Sequence, residues 1–108
     1  MTASRAAGRP VTLQKTASIA DGLLALRPGD VTFAHVQAFV DEVVTVPEAS
    51  IVDAIAWLFR EARLVAEPSG AVTTAAILQA GGPLQPGVVA VVSGGNVSAE
   101  DYVGYLRS

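Results

Sequence analysis

Apolar residues recur along this chain with two spacings, and the switch between them marks out its elements. Phe33, Val36, Phe39 and Val40 fall three or four apart, which predicts a helix over Thr32–Asp41 with Thr32 as its N-cap. Glu42–Val46 then reads as a strand, because it is a short β-branched run. Pro47 suits the first turn of a helix, where its missing N–H leaves nothing unbonded, and Glu48 adds a favourable charge there. That helix is expected to reach about Ala62, with Ile51, Ile55, Leu58 and Ala62 on one face and Phe59 beside them. Trp57 lies off the centre of this face, so burial on a second side is expected as well.

Glu67-Pro68-Ser69-Gly70 opens a further helix, which runs to about Gln79 and stops at Gly81-Gly82. Its Ala75-Ala76 pair allows close backbone approach. Val88–Val92 is apolar at every position, the pattern of a strand covered on both faces. It leads into Ser93-Gly94-Gly95-Asn96, and a last helix is expected over about Ser98–Leu106. Residues 1–30 read as mostly irregular, punctuated by Gly8, Pro10, Asp21-Gly22 and Pro28-Gly29-Asp30. The predicted fold class is therefore α/β: an incomplete three-layer, parallel-sheet lobe with two strands and about four helices. Two strands do not make a stable sheet alone, so residues 1–108 are expected to form only part of a domain.

Composition sharpens that picture. The 108 residues are 51% hydrophobic and 16% charged, against roughly 25% charged in an ordinary soluble domain. A small domain has much surface for its volume, so either a partner covers part of it or part of the fold is missing. The net charge of −3 provides no basic stripe for nucleic-acid phosphates. With no cysteine, disulfides, thiolate metal sites and cysteine nucleophiles are ruled out. No apolar run approaches the roughly 18 residues of a membrane span. Residues 1–15 carry Arg5, Arg9 and Lys15 without an acid, as in some transit peptides. The Gly8-Arg9-Pro10 punctuation favours an irregular loop instead, which leaves the cytoplasm as the expected location.

The candidate chemistry lies at Ser93-Gly94-Gly95-Asn96, beyond the carboxyl end of a predicted strand, where open α/β sheets bind ligands. A hydroxyl, two glycines and an amide could grip a polar ring or an anion there, although a plain turn has the same composition. Other candidates are weaker. His35 lacks an orienting partner, which leaves it a surface or packing role. Asp41-Glu42 and Glu100-Asp101 are consecutive acids, which do not face one another on a helix. Asn96-Val97-Ser98 matches a glycosylation sequon, but it coincides with the candidate site and no secretory signal accompanies it. Ser93 as a hydrolase nucleophile lacks both a Gly-x-Ser-x-Gly elbow and a base.

Five blocks in order carry a resemblance: Ser18–Leu23, Arg27-Pro28-Gly29, Val40–Val46, Glu67–Val72 and Val91–Val97. In sequence and spacing they resemble the back half of the threonine dehydratase and serine racemase family. These are pyridoxal-phosphate (PLP) enzymes with the tryptophan-synthase-β type of fold, and the likeness covers roughly Ser4 to Tyr105. It implies that Ser93 hydrogen-bonds the pyridine nitrogen of PLP, a neutral partner that leaves the ring a milder electron sink than an aspartate would. It also implies that Gly94 and Gly95 let backbone approach the ring, and that Asn96 braces the turn. Glu67 would sit near the cofactor, or serve only as an acid at a helix N-terminus. Asp21 and Gly22 would line the active-site wall, or form only a turn.

The resemblance also shows what to expect elsewhere. The family carries its Schiff-base lysine in a Ser-Phe-Lys-x-Arg-Gly motif and a separate glycine-rich phosphate loop. Lys15, the only lysine here, lies between Gln14 and Thr16 and does not match. Metal ligands of many members would precede Met1, so neither a metal ligand nor a catalytic residue is expected in this chain. The leading expectation is part of a PLP-dependent lyase that dehydrates and deaminates threonine or serine to the 2-oxo acid and ammonia, inactive alone. A racemase acting on serine or aspartate-type substrates is the alternative, as is a non-catalytic remnant or partner-docking α/β lobe. The amino acid substrate, and either the missing N-terminal part or a homo-oligomer partner, are the expected partners, with no nucleic acid and no membrane.

Overall fold

The computed structural model describes residues 1–108 and contains five α-helices joined by turns and irregular segments. Helix α1 spans Thr2–Ala7, α2 Asp30–Phe39, α3 Glu48–Trp57, α4 Pro68–Ala80 and α5 Ala99–Arg107, with a 3-10 turn at Asp21–Leu23. Helices α2 to α5 lie close to where the sequence predicts them, but α2 begins at Asp30 with Gly29 as its N-cap residue, so Thr32 is inside the helix and not its cap. Helix α1 does not appear in the sequence expectation, which has this stretch irregular. Its stop is nonetheless written there: Gly8 adopts a left-handed φ of 66° and its N–H reaches back to the carbonyls of Ser4 and Arg5.

The core forms where α3 lies on α4. Ile51, Ala54, Ile55 and Leu58 make one buried stripe of α3, and Ala71 and Ala75 present a buried small-residue face of α4. Alanines on both sides bring the two helices close. Ala62, expected on the buried face, is exposed because the last turn of α3 widens into a π turn over Leu58–Ala62. Arg63 ends it in the left-handed region at φ 57°, and the Leu64 N–H closes back on the Leu58 carbonyl at 3.1 Å. The Arg63 guanidinium also donates to the carbonyls of Phe59 and Arg60. Trp57 is 43% exposed, so the second side expected to be covered stands open.

Helix α5 closes over this core through Tyr102, which is buried edge-on to Phe59 with ring centroids 6.0 Å apart. Ser98 caps α5: its hydroxyl accepts the Asp101 N–H at 3.0 Å and donates to the Asp101 carboxylate at 2.7 Å.

Neither expected strand forms. Glu42–Val46 and Val88–Val92 form no regular element and lack a hydrogen-bonded ladder, with each other or with anything else. β-Branched residues favour extended backbone, but a strand exists only when a neighbour takes up its N–H and C=O groups. Val88–Val92 has one side-chain anchor, the Thr73 hydroxyl donating to the Val91 carbonyl at 2.8 Å. Val88, Ala90 and Val92 line an apolar groove of about 400 Å³ with Trp57, Leu64 and Ile77. Val89 and Val91 alternate with them and point outward, 84% and 64% exposed. Coverage of this segment is therefore slight: Val92 is half-buried, while Val88 and Ala90 are exposed along with Val89 and Val91.

The whole chain reflects this. Its accessible surface is 7359 Å², whereas a compact protein of this mass exposes roughly 5,600 Å². The Cα radius of gyration is 15.0 Å, where about 13 Å is usual for this length.

One contact fixes the Ser18–Ala20 segment against α3. The Ser18 hydroxyl beside the Glu48 carboxylate, and then the Ile19 N–H that the carboxylate accepts at 2.9 Å, hold its pKa below the ordinary 4.5. A depressed carboxyl pKa stabilises the folded chain above pH 4.5, and that contribution is lost as pH falls through the lower, folded value. An NMR titration should accordingly place the Glu48 midpoint below 4.5, with the Ile19 amide shifting in step. Glu48→Gln should abolish that acid transition at Ile19, and a midpoint at or above 4.5 would contradict the contact.

Candidate functional site

The first turn of α4 organises the candidate site. Glu67 is its N-cap residue, with extended backbone, and its carbonyl accepts the N–H groups of Gly70 and Ala71 at 3.0 and 3.1 Å. Its own N–H points the other way and donates to the Gly94 carbonyl at 3.0 Å, joining the Ser93–Asn96 loop to the helix. The loop lies so close that a Cβ on Gly70 would stand 2.5 Å from the Gly94 oxygen and 2.9 Å from its nitrogen. A Cβ on Gly94 would meet the Glu67 carboxylate, and one on Gly95 would lie 2.8 Å from the Val65 carbonyl. A Cβ at Gly94 or Gly95 would thus run into protein atoms. Val97 completes the turn by donating to the Gly95 carbonyl at 2.9 Å.

The Asp21-Gly22 turn reaches the same helix end. The Gly22 N–H is shared between Asp21 Oδ1 at 2.8 Å and the Ser69 hydroxyl at 2.9 Å. Two loops more than seventy positions apart in the chain therefore dock on one helical turn, Glu67–Gly70. Sequence reasoning picks out Asp21, Gly22, Glu67, Ser93, Gly94, Gly95 and Asn96, but it gives no separate role to Ser69 or Gly70. Their signal lies in the Glu67-Pro68-Ser69-Gly70 block.

Ser93 and Asn96 are exposed and their side chains form no hydrogen bond within the chain. Neither they nor Glu67, Gly94 and Gly95 line any of the chain's five cavities. The site is an open ledge. The Ser93 hydroxyl and the Asn96 amide can each donate and accept a hydrogen bond there. Elsewhere, His35 is exposed on α2 and its Nδ1 lies 2.9 Å from the Val31 carbonyl, while Asp101 is occupied in the Ser98 cap.

Residues 1–94 match the pattern that defines the pyridoxal-phosphate dependent enzymes. The chain belongs to that family. PLP is therefore the cofactor of its kind of protein. Among its relatives, the L-threonine ammonia-lyase of Thermotoga maritima is 42% identical over 97 residues, covering 90% of this chain and 24% of that protein. The serine racemase of Arabidopsis thaliana is 39% identical over 100 residues, or 87% of this chain and 30% of that one. The crystal structure of a threonine deaminase from T.th. superposes with a TM-score of 0.82 at 35% identity, covering 89% of this chain and 35% of that one. The chain thus spans about a quarter to a third of the length of these PLP-dependent relatives. No helix is long and apolar enough to cross a membrane.

Proposed function

We propose that this chain is the C-terminal, pyridine-facing part of a PLP-dependent lyase that converts threonine or serine to the 2-oxo acid and ammonia. The observation that carries this reading is the Ser93–Asn96 loop held on the first turn of α4 with its hydroxyl and amide free, in a chain 42% identical to an L-threonine ammonia-lyase. When bound, PLP supplies a ring that withdraws electrons from the amino acid's α-carbon. Ser93 would hold the ring nitrogen through a neutral hydroxyl, and Asn96 would brace the turn beneath it. The Glu67 carboxylate, packed against Gly94, would set the level of that loop. Asp21 and Gly22 would form the wall on the substrate side.

The chain alone is not competent in this reading, because Lys15 is its only lysine and lies outside the family's lysine motif. The open ledge, the bare Val89 and Val91 and the large accessible surface support a missing N-terminal part or a partner subunit as the cover. A cytoplasmic location accords with the metabolic substrate. Racemisation of serine is the second reading, favoured by the 39% identity to a serine racemase.

The test is a chimera in which this chain replaces the matched stretch of the Thermotoga maritima enzyme. It is expected to bind PLP and to release 2-oxo acid from threonine or serine, while the chain alone gives no turnover. Ser93→Ala in the chimera should weaken PLP retention about three- to tenfold, the value of one neutral hydrogen bond. Turnover by the chain alone, or a chimera that folds without holding PLP, would overturn the proposal. Conversion of L- to D-serine without 2-oxo acid would select the racemase.

A further inference from the structure

We infer that Ser69 is a positioning residue for the substrate side of the site, a role that rests on the function proposed above. The Ser69 hydroxyl stands between the two groups of the Asp21-Gly22 turn. It accepts the Gly22 N–H at 2.9 Å and lies 3.5 Å from Asp21 Oδ1, toward which it can donate. Asp21 Oδ1 itself accepts the Gly22 N–H at 2.8 Å, so hydroxyl, amide and carboxylate form a small closed ring. A Cβ on Gly22 would lie 3.0 Å from the Ser69 oxygen, which shows how closely the turn is seated. This is the only side-chain hydrogen bonding between the turn and α4.

The cofactor-side loop is held differently. Backbone carries it, through the Glu67 N–H on the Gly94 carbonyl and the Gly70 backbone against Gly94. Ser69 lies between Pro68 and Gly70 in the same turn, yet its side chain serves only the other loop. Removing the hydroxyl should therefore free the Asp21-Gly22 wall and leave Ser93–Asn96 in place. That separation distinguishes a positioning role from a general loss of structure.

Two measurements test this. In the 108-residue chain, Ser69→Ala should speed exchange of the Gly22 amide about three- to tenfold, with the Gly94 and Gly95 amides unmoved. Ser69→Thr, which keeps the hydroxyl, should restore it. In the chimera, Ser69→Ala should raise KM for threonine about three- to tenfold with kcat and the PLP absorbance unchanged, and Ser69→Thr should return KM to the parent value. An unmoved Gly22 amide, an unmoved KM in an active parent, or a change in PLP retention would overturn the inference while leaving the proposed function standing. A parent chimera that holds no PLP would overturn the proposed function, and the substrate role of Ser69 with it.

Discussion

Gly70→Ala is expected to destabilise the chain and to lift the Ser93–Asn96 loop off α4. Two effects oppose each other. Alanine is the better helix former by about 1 kcal/mol, which taken alone would stabilise α4. The new Cβ would stand 2.5 Å from the Gly94 oxygen and 2.9 Å from its nitrogen, and neither can swing aside because both belong to the backbone. Overpacking of this kind costs about 1–3 kcal/mol when the surroundings can shift, and more when they cannot. The clash prevails by roughly 1–2 kcal/mol, a fall of about 5–10 °C in Tm for a chain of this size. In the chimera the same substitution should weaken PLP retention, because the Glu67 N–H can no longer reach the Gly94 carbonyl. Gly94→Ala is the control: its Cβ meets the end of the Glu67 side chain, which can rotate away, so the loss should be smaller. An unchanged or raised Tm for Gly70→Ala would show that the loop is not seated as described.

Ile55→Ala should have the larger effect on stability. Ile55 is fully buried at the centre of the α3–α4 contact, where the facing residues are alanines that cannot expand into the space left behind. Truncations of this type cost about 2–5 kcal/mol, and a typical domain has only about 5–15 kcal/mol in total. With 14 of 108 residues buried, this chain has little reserve. Urea denaturation followed by circular dichroism should show a much lower midpoint or a loss of the cooperative transition. Trp57→Ala, although it removes a larger side chain, should cost less than about 1 kcal/mol because the ring is partly in water. The order of these two losses is the diagnostic result. If Trp57→Ala proved the more damaging, the groove it lines with Val88 and Val92 would be the true core.

The helices are legible in the sequence because helix formation is local. A hydrogen bond four residues away and an apolar residue every third or fourth position are both readable from a window of the chain. That suffices for α2, α3, α4 and α5, and for the stop at Gly81 and the start at Ser98. Helix α1 escapes such a reading because a single turn and a half carries too short a pattern, even though Gly8 and Pro10 mark its end. The π turn at Leu58–Ala62, which turns Ala62 outward, has no comparable signature. Glu42–Val46 and Val88–Val92 show the opposite failure: their composition is right for strands, but strand formation depends on a neighbour that a local pattern cannot supply.

By itself the sequence determined helices α2 to α5, the family and the residue types available at the candidate site. Only the tertiary structure decided that the Asp21-Gly22 turn and the Ser93–Asn96 loop converge on Glu67–Gly70, and that Ser69 and Gly70 hold one each. It also decided that a Cβ at Gly94 or Gly95 would meet Glu67 or Val65. The physical reason is range: a side-chain hydrogen bond across 47 positions, or the absence of room for one Cβ, depends on which surfaces meet, and no local stretch of sequence records that.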